Sequence, residues 1–177
     1  MAILYPQSNT LNQLDGMFRE IASNLAVFNS YGEGEWEEIS ANTTINYPLL
    51  WCIVNPVNIY ETYTVYNYRL IVMDLVYPDL SNRMEVQSDT LSSLHHVLYT
   101  VRDTYDMLIE WNSLSATPFV QQFNDMVAGW YIDVKIEIPW SLGSCDVPLR
   151  QSFGYNFFVN FDGTPIINFN NNNILTY

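Results

Sequence analysis

From Trp130 to Ile138 the chain alternates without a break. Trp130, Ile132, Val134, Ile136 and Ile138 fall on one side, and Tyr131, Asp133, Lys135 and Glu137 on the other. Side chains that repeat with period two belong to a β-strand with one face on a core and the other in water or in an interface. Such a strand needs partners, and two other stretches offer them. Tyr47 to Val54 is compact, with Pro48 near its start, where a ladder N–H is least missed. Tyr60 to Tyr77 is rich in Tyr, Val, Thr and Ile. Fully extended it would span about 60 Å, about three times an ordinary strand, so it is expected to bend or to project in part as an arm. Its first half mixes polar and apolar positions, whereas Leu70 to Tyr77 is almost wholly apolar. An exposed half leading into a buried half is therefore expected.

Two other segments have helical spacing. Leu11, Leu14, Phe18, Ile21, Leu25 and Phe28 step by three and four residues, which predicts an amphipathic helix near 10–29. Ser8, Asn9 and Thr10 are its N-cap candidates, and Gly32 closes the region. Leu91, Leu94, Leu98, Val101, Tyr105 and Leu108 predict a second helix near 85–112, with Ser88 and Asp89 capping it or lying one turn inside. Residues 32–44 read as an acidic loop or short strand, Asn55 to Asn58 as a turn, Pro78 to Asn82 as a break and Phe119 to Phe123 as a short strand. The fold class expected is α/β of the α+β type: a mainly antiparallel sheet of 47–54, 62–77 and 130–138 packed by two long helices, with an extended β arm. Residues 1–139 form the core domain. Residues 140–177 hold Gly, Pro and a run of Asn, but too many Phe and Ile for a solvated tail. They are expected to be an irregular extended segment that contacts neighbouring subunits.

Charge excludes some partners. Nineteen acids face six bases, and Lys135 is the only lysine, giving a net charge of −13. Proteins grip nucleic acid by neutralising phosphates with Lys and Arg, so DNA is expected to pass such a surface without specific binding. Anionic membranes are disfavoured on the same ground. No apolar run approaches the roughly 18 residues of a membrane span, and the N-terminus shows neither the basic region nor the long apolar stretch of a secretory signal. Aromatic residues make up 15% of the chain against 14% charged. Rings in that excess favour protein interfaces, or else a Tyr-rich core whose hydroxyls reach the surface. The interface candidates are Tyr60, Tyr63, Tyr66 and Tyr68 on the long stretch, with Trp36 and Trp140 in flanking loops. Glu33, Glu35, Glu37 and Glu38 are the candidate lumen-facing or solvent-facing acids.

Catalytic and metal patterns find no support in the sequence. His95 and His96 point about 100° apart on a helix, and neither has a His or carboxylate four residues on. Gly32-Glu33-Gly34 is flanked by glutamates that would repel a phosphate. Cys52 lies in an apolar strand and reads as a small core residue, 93 positions from Cys145 and without metal spacing. No nucleophile elbow or cofactor fingerprint is present. The chain is expected to be neither an enzyme nor a holder of cofactor or metal.

Five pieces in a fixed order carry a resemblance: Tyr47-Pro48-Leu49-Leu50-Trp51; Val72-Met73-Asp74; Ser88-Asp89-Thr90; Gly129-Trp130; and Cys145-Asp146-Val147-Pro148. The order resembles neck and tail-connector proteins of tailed phages that infect Bacteroidetes, the crAss-like phages among them. The coarse layout is also similar to tail-terminator and tail-completion proteins. The resemblance covers residues 8–150. It implies a structural virion protein, assembled in the bacterial cytoplasm, that forms a homo-oligomeric ring, hexamer or dodecamer. Such a ring would join portal or neck to tail, with other neck, portal or tail proteins as partners and DNA in the lumen. The alternative from another class is a small aromatic-rich adaptor that binds a peptide or glycan.

Overall fold

The computed structural model describes residues 11–42, 44–105 and 107–139. The cap candidates Ser8 to Thr10, Trp140, the Cys145 motif and the segment 140–177 lie outside them. The described chain is a mixed α/β fold. In chain order it runs α1 (Leu11–Asn24), β1 (Ser30–Glu33), α2 (Trp36–Ala41), β2 (Leu49–Val54), β3 (Asn58–Ile59), β4 (Tyr63–Leu75), α3 (Arg83–Asp103), β5 (Leu108–Ile109), a 3₁₀ turn (Trp111–Ser113), β6 (Thr117–Gln122) and β7 (Met126–Pro139). The strands form one seven-stranded sheet in the order β1-β2-β4-β7-β5, with β3 beside β4 and β6 beside β7. β1 runs parallel to β2; the other pairings described are antiparallel.

The long tyrosine-rich stretch turns once, at Glu61 and Thr62, and from Tyr63 to Leu75 is a single strand that does not project. β4 is the centre of the sheet and pairs with β7 from Tyr63↔Pro139 to Leu75↔Val127, while β2 lies on its other side. Its unusual length is matched by the 14 residues of β7, so every rung of the ladder finds a partner. The extended β arm is thereby corrected to a central strand.

Alternation then sorts the side chains between two faces. On one, Leu50, Cys52, Tyr68, Leu70, Val72 and the Ile132–Ile138 series receive the apolar stripes of both α1 and α3. Phe18 of α1, fully buried, meets the Tyr68 ring edge-on at 5.1 Å. Burying such a ring contributes about 1.5–3 kcal/mol. On the other face Leu49, Trp51, Ile71, Met73 and Val127 are covered by Ile39 of α2 and by the half-buried rings of Trp36, Phe119 and Phe123.

Both long helices are shorter than their spacing suggested. α1 stops at Asn24, yet Phe28 stays buried because the turn after the helix folds it back on the core. α3 begins at Arg83, so Ser88 and Asp89 lie well inside it. It ends at Asp103 because Leu108 and Ile109 pair with β7 instead. The segment read as an acidic loop or short strand begins with the end of the edge strand β1 and continues into the helix α2. Gly32 does not end α1; it sits in β1 beneath the Trp51 ring.

Gly129 fixes the closeness of the central ladder. A Cβ there would come within 1.9 Å of the Val72 carbonyl oxygen and 2.8 Å of Met73 Cα, both backbone atoms. Gly16, on the exposed side of α1, has nothing within 4 Å of such a Cβ. Gly129→Ala should therefore cost about 1–3 kcal/mol, roughly 3–10 °C in Tm. Gly16→Ala should gain about 0.5–1 kcal/mol. Thermal and urea melts of the two variants check both signs; a neutral Gly129→Ala would mean that the β4–β7 spacing is wrong.

Candidate assembly surface

Among the described residues, the face of the sheet that carries α2 has a helix on only part of its length. Towards the far ends of β4 and β7, no helix among the described residues lies on it. Glu61 and Thr62 form the turn between β3 and β4, closed by a 2.9 Å hydrogen bond from the Tyr60 N–H to the Tyr63 carbonyl. It stacks the Tyr60 and Tyr63 rings at 4.6 Å with 21° between planes. Across the sheet, Leu108 stands opposite Glu137, which stands opposite Val65. Leu108 is 60% exposed and Tyr60 47%. Between these rings and the covered half run two ion pairs. Arg69 grips Asp133 with two bonds, 2.8 and 2.9 Å, and lies 4.9 Å over the Tyr131 ring. Lys135 donates to Glu110 at 2.8 Å. The Asp133 carboxylate holds Arg69 above its ordinary pKa, and Glu110 does the same for Lys135. Apolar rings and a leucine bordered by polar groups are what the centre and rim of a protein interface contain.

The sequence candidates divide between this surface and the interior. Tyr60 and Tyr63 come together on it. Tyr66 and Tyr68 point to the opposite face, because their positions differ in parity from Tyr63. Tyr66 packs half-buried against the core, and Tyr68, 1% exposed, is among its largest buried side chains. Tyr68 is corrected from an interface to a core residue, and Tyr66 lies half-buried at the edge of the same core. Trp36 is the first residue of α2 and closes the second core against Phe119 and Phe123, so it too is mainly structural. Glu35 precedes α2, and Glu37 and Glu38 occupy its first turn, all exposed, where the helix dipole favours negative charge. Leu108 was missed because it kept helical spacing with α3. The polar side of β7, where Asp133 and Lys135 stand, was the signal that could have located this surface.

A second cluster, at the α1–β1 seam, had no signal in the sequence. Asp15 on α1 accepts from the Tyr31 hydroxyl, and Arg19 reaches both Asp15 (3.1 Å) and Glu33 (3.6 Å). Burial pushes Asp15 up, but hydrogen bonds from Glu33 and Tyr31 and the Arg19 charge outweigh it and leave the carboxyl below its usual range. Its neighbour Glu33 is raised, first by the hydrogen bond to Asp15, then by partial burial and the Asp15 charge. Burial also raises the Tyr31 phenol and the Cys52 thiol beside it, so both stay protonated. Glu33 is thus tied to α1 rather than standing free with the other three glutamates. Among the described residues no group of His, Cys, Asp and Glu has the arrangement of a metal site, and no helix is long and apolar enough to cross a membrane.

The raised Glu33 binds its proton more tightly in the folded chain than in the unfolded one. Its contribution to stability is complete below the unfolded pKa and is lost as pH rises through the folded value. Glu33→Gln keeps the hydrogen bond to Asp15 without the charge. At pH 7 it should melt higher than the wild type by about 1 °C, a small gain because the pair is largely exposed. The gap should close as the pH falls through the mildly acidic range; a variant that melts lower at pH 7 would contradict the shared proton. No family model matches the sequence and no curated protein resembles it significantly, so the reading of these surfaces rests on their own geometry.

Proposed function

We propose that this chain is a structural subunit of a tailed-phage neck or tail connector, whose copies close into a ring that joins portal or neck to tail and leaves a lumen for DNA. The observation that carries the reading is the end of the sheet that no described helix covers, where Tyr60, Tyr63 and Leu108 stand on one face with ion-paired polar groups. Tyr60 and Leu108 are large and exposed on one face, either side of the Val65–Glu137 rung, and exposed apolar side chains sharing a face suit a contact surface. In a ring the contact is heterologous, so this surface meets a different part of the next copy. The net charge of −13 supports the lumen, because a negative wall repels the DNA that slides past it. The exposed Glu35, just before α2, and Glu37 and Glu38 in its first turn are the residues nominated to face that lumen. The ring belongs to the virion, after assembly in the host cytoplasm, and needs no catalytic group.

Light scattering on the purified chain, alone and mixed with portal and tail-tube proteins, tests the reading. The expected mass is a multiple of 20.6 kDa in at least one mixture. Tyr60→Asp combined with Leu108→Asp should abolish assembly and leave the melting temperature within about 2 °C, since both side chains are exposed. A 20.6 kDa monomer in every mixture would overturn the ring. Replacing Glu35, Glu37 and Glu38 with Lys should create an affinity for duplex DNA that falls steeply with salt. Tight DNA binding by the unaltered chain would remove the argument for a repelling wall.

A further inference from the structure

Two cavities lie in line along one flank of α3, on the face of the sheet opposite the Tyr60–Leu108 surface. The first, about 400 Å³, is bordered by Arg83, Met84, Gln87, Leu91, Pro118 and Trp130. The second, about 230 Å³, is bordered by Leu94, His95, Tyr99, Trp111, Leu114 and Ile132. Each has a rigid wall. The Trp130 indole N–H donates to the Gln87 carbonyl at 2.7 Å and holds that ring in place. Tyr99 and Trp111 stack at 6.2 Å, and Arg102 lies over both rings at 4.9 and 5.4 Å.

Charge is unevenly spread around this helix, with Asp103 reaching back to pair with Arg102. At about 100° per residue, Arg83, Met84, Gln87, Leu91, His95 and Arg102 share the groove-side flank, while Glu85, Asp89 and Asp103 fall on another. Among the described residues no Asp or Glu borders either cavity, in a chain with 19 acids and 6 bases. Arg19, Arg69, Arg102 and Lys135 are each paired with a carboxylate. Arg83, at the mouth of the larger cavity, has no carboxylate partner among the described residues.

From these observations we propose that the α3 groove binds an extended segment of a partner protein that presents a carboxylate to Arg83 and two bulky apolar side chains to the cavities. The spacing follows from the helix. The cavity centres, near residues 87 and 96, are about 14 Å apart at the helical rise. In an extended peptide two side chains on the same side, four residues apart, span about 13 Å. The carboxylate belongs two residues before the apolar group in the larger cavity, since Arg83 lies about 6 Å along the helix from Gln87. The recognised pattern is therefore acid–x–apolar–x–x–x–aromatic, in either chain direction, with the ring meeting the Tyr99–Trp111 wall. The inference does not depend on ring formation.

Panning a random nonapeptide library against the immobilised full chain tests it, followed by fluorescence anisotropy of the enriched peptides. Enriched sequences should share one acid and two bulky apolar residues at this spacing. Arg83→Glu should weaken them about tenfold and, panned afresh, should select Lys or Arg in place of the acid. Trp111→Ala, at a partly exposed ring, should weaken them to a similar degree while leaving the Arg83 preference intact. Both variants should melt with the wild type. Failure to enrich any sequence, enrichment without an acid, or binding indifferent to Arg83→Glu would each overturn the assignment. If instead the chain self-associates and Arg83→Glu abolishes that association, the occupant is a second copy and the partner segment is withdrawn.

Discussion

The ladder between β4 and β7 is the interaction on which the rest of the molecule depends. It runs without interruption from Tyr63↔Pro139 to Leu75↔Val127. Near one end the backbones approach so closely that Gly129 is the only residue that fits against Val72 and Met73. Because the register is fixed over this length, parity alone assigns each side chain to a face. Tyr68, Leu70 and Val72 are delivered to α1 and α3; Arg69, Ile71 and Met73 face the other way. The polar pairs at Arg69–Asp133 and Lys135–Glu110 are a consequence of the same register, since each cation is placed opposite or beside its acid by strand pairing.

That parity explains what could be read from the sequence. The alternation from Trp130 to Ile138 stated which side chains of β7 would be buried, and Ile132, Val134 and Ile136 are. The stripes of α1 and α3 gave the helix faces for the same reason, whereas their ends depended on longer-range competition. Leu108 and Ile109 leave the helical pattern because β7 offers them a strand partner, a fact invisible in local spacing. The tyrosines of β4 show the same limit. Tyr63 and Tyr68 are alike in composition and five positions apart, but odd separation in a strand sends one to the surface and the other into the core. α2 was hidden by its charge, because three glutamates around it read as a loop while the buried side depends chiefly on Ile39 and the partly exposed Trp36. The carboxylate pair at Asp15 and Glu33 joins elements from different parts of the fold and left no local trace.

The Tyr60–Leu108 surface and the α3 groove lie on opposite faces of one sheet, so contact at one leaves the other open. They also differ in chemistry. The first is aromatic and bordered by paired charges; the second is recessed, apolar and, among the described residues, free of acids along its lining. A small protein with two such surfaces could hold two different neighbours at once, with specificity set by shape on one side and by charge on the other.

The order in which the chain is made gives the central ladder a cost of its own. Leu75, the last residue of β4, pairs with Val127, 52 residues further on, and the first rung waits for Pro139. At a ribosomal rate of about 5–20 residues per second, β4 therefore stands with one edge unpaired for about 3–10 s after it is synthesised. Its apolar side chains and open N–H and C=O groups are then available to other nascent chains. α3, made in this interval from mostly local contacts, can form first and cover one side of the exposed strand. The helix that carries the groove in the finished protein would thus serve, during synthesis, as the temporary shield of the sheet it later packs on.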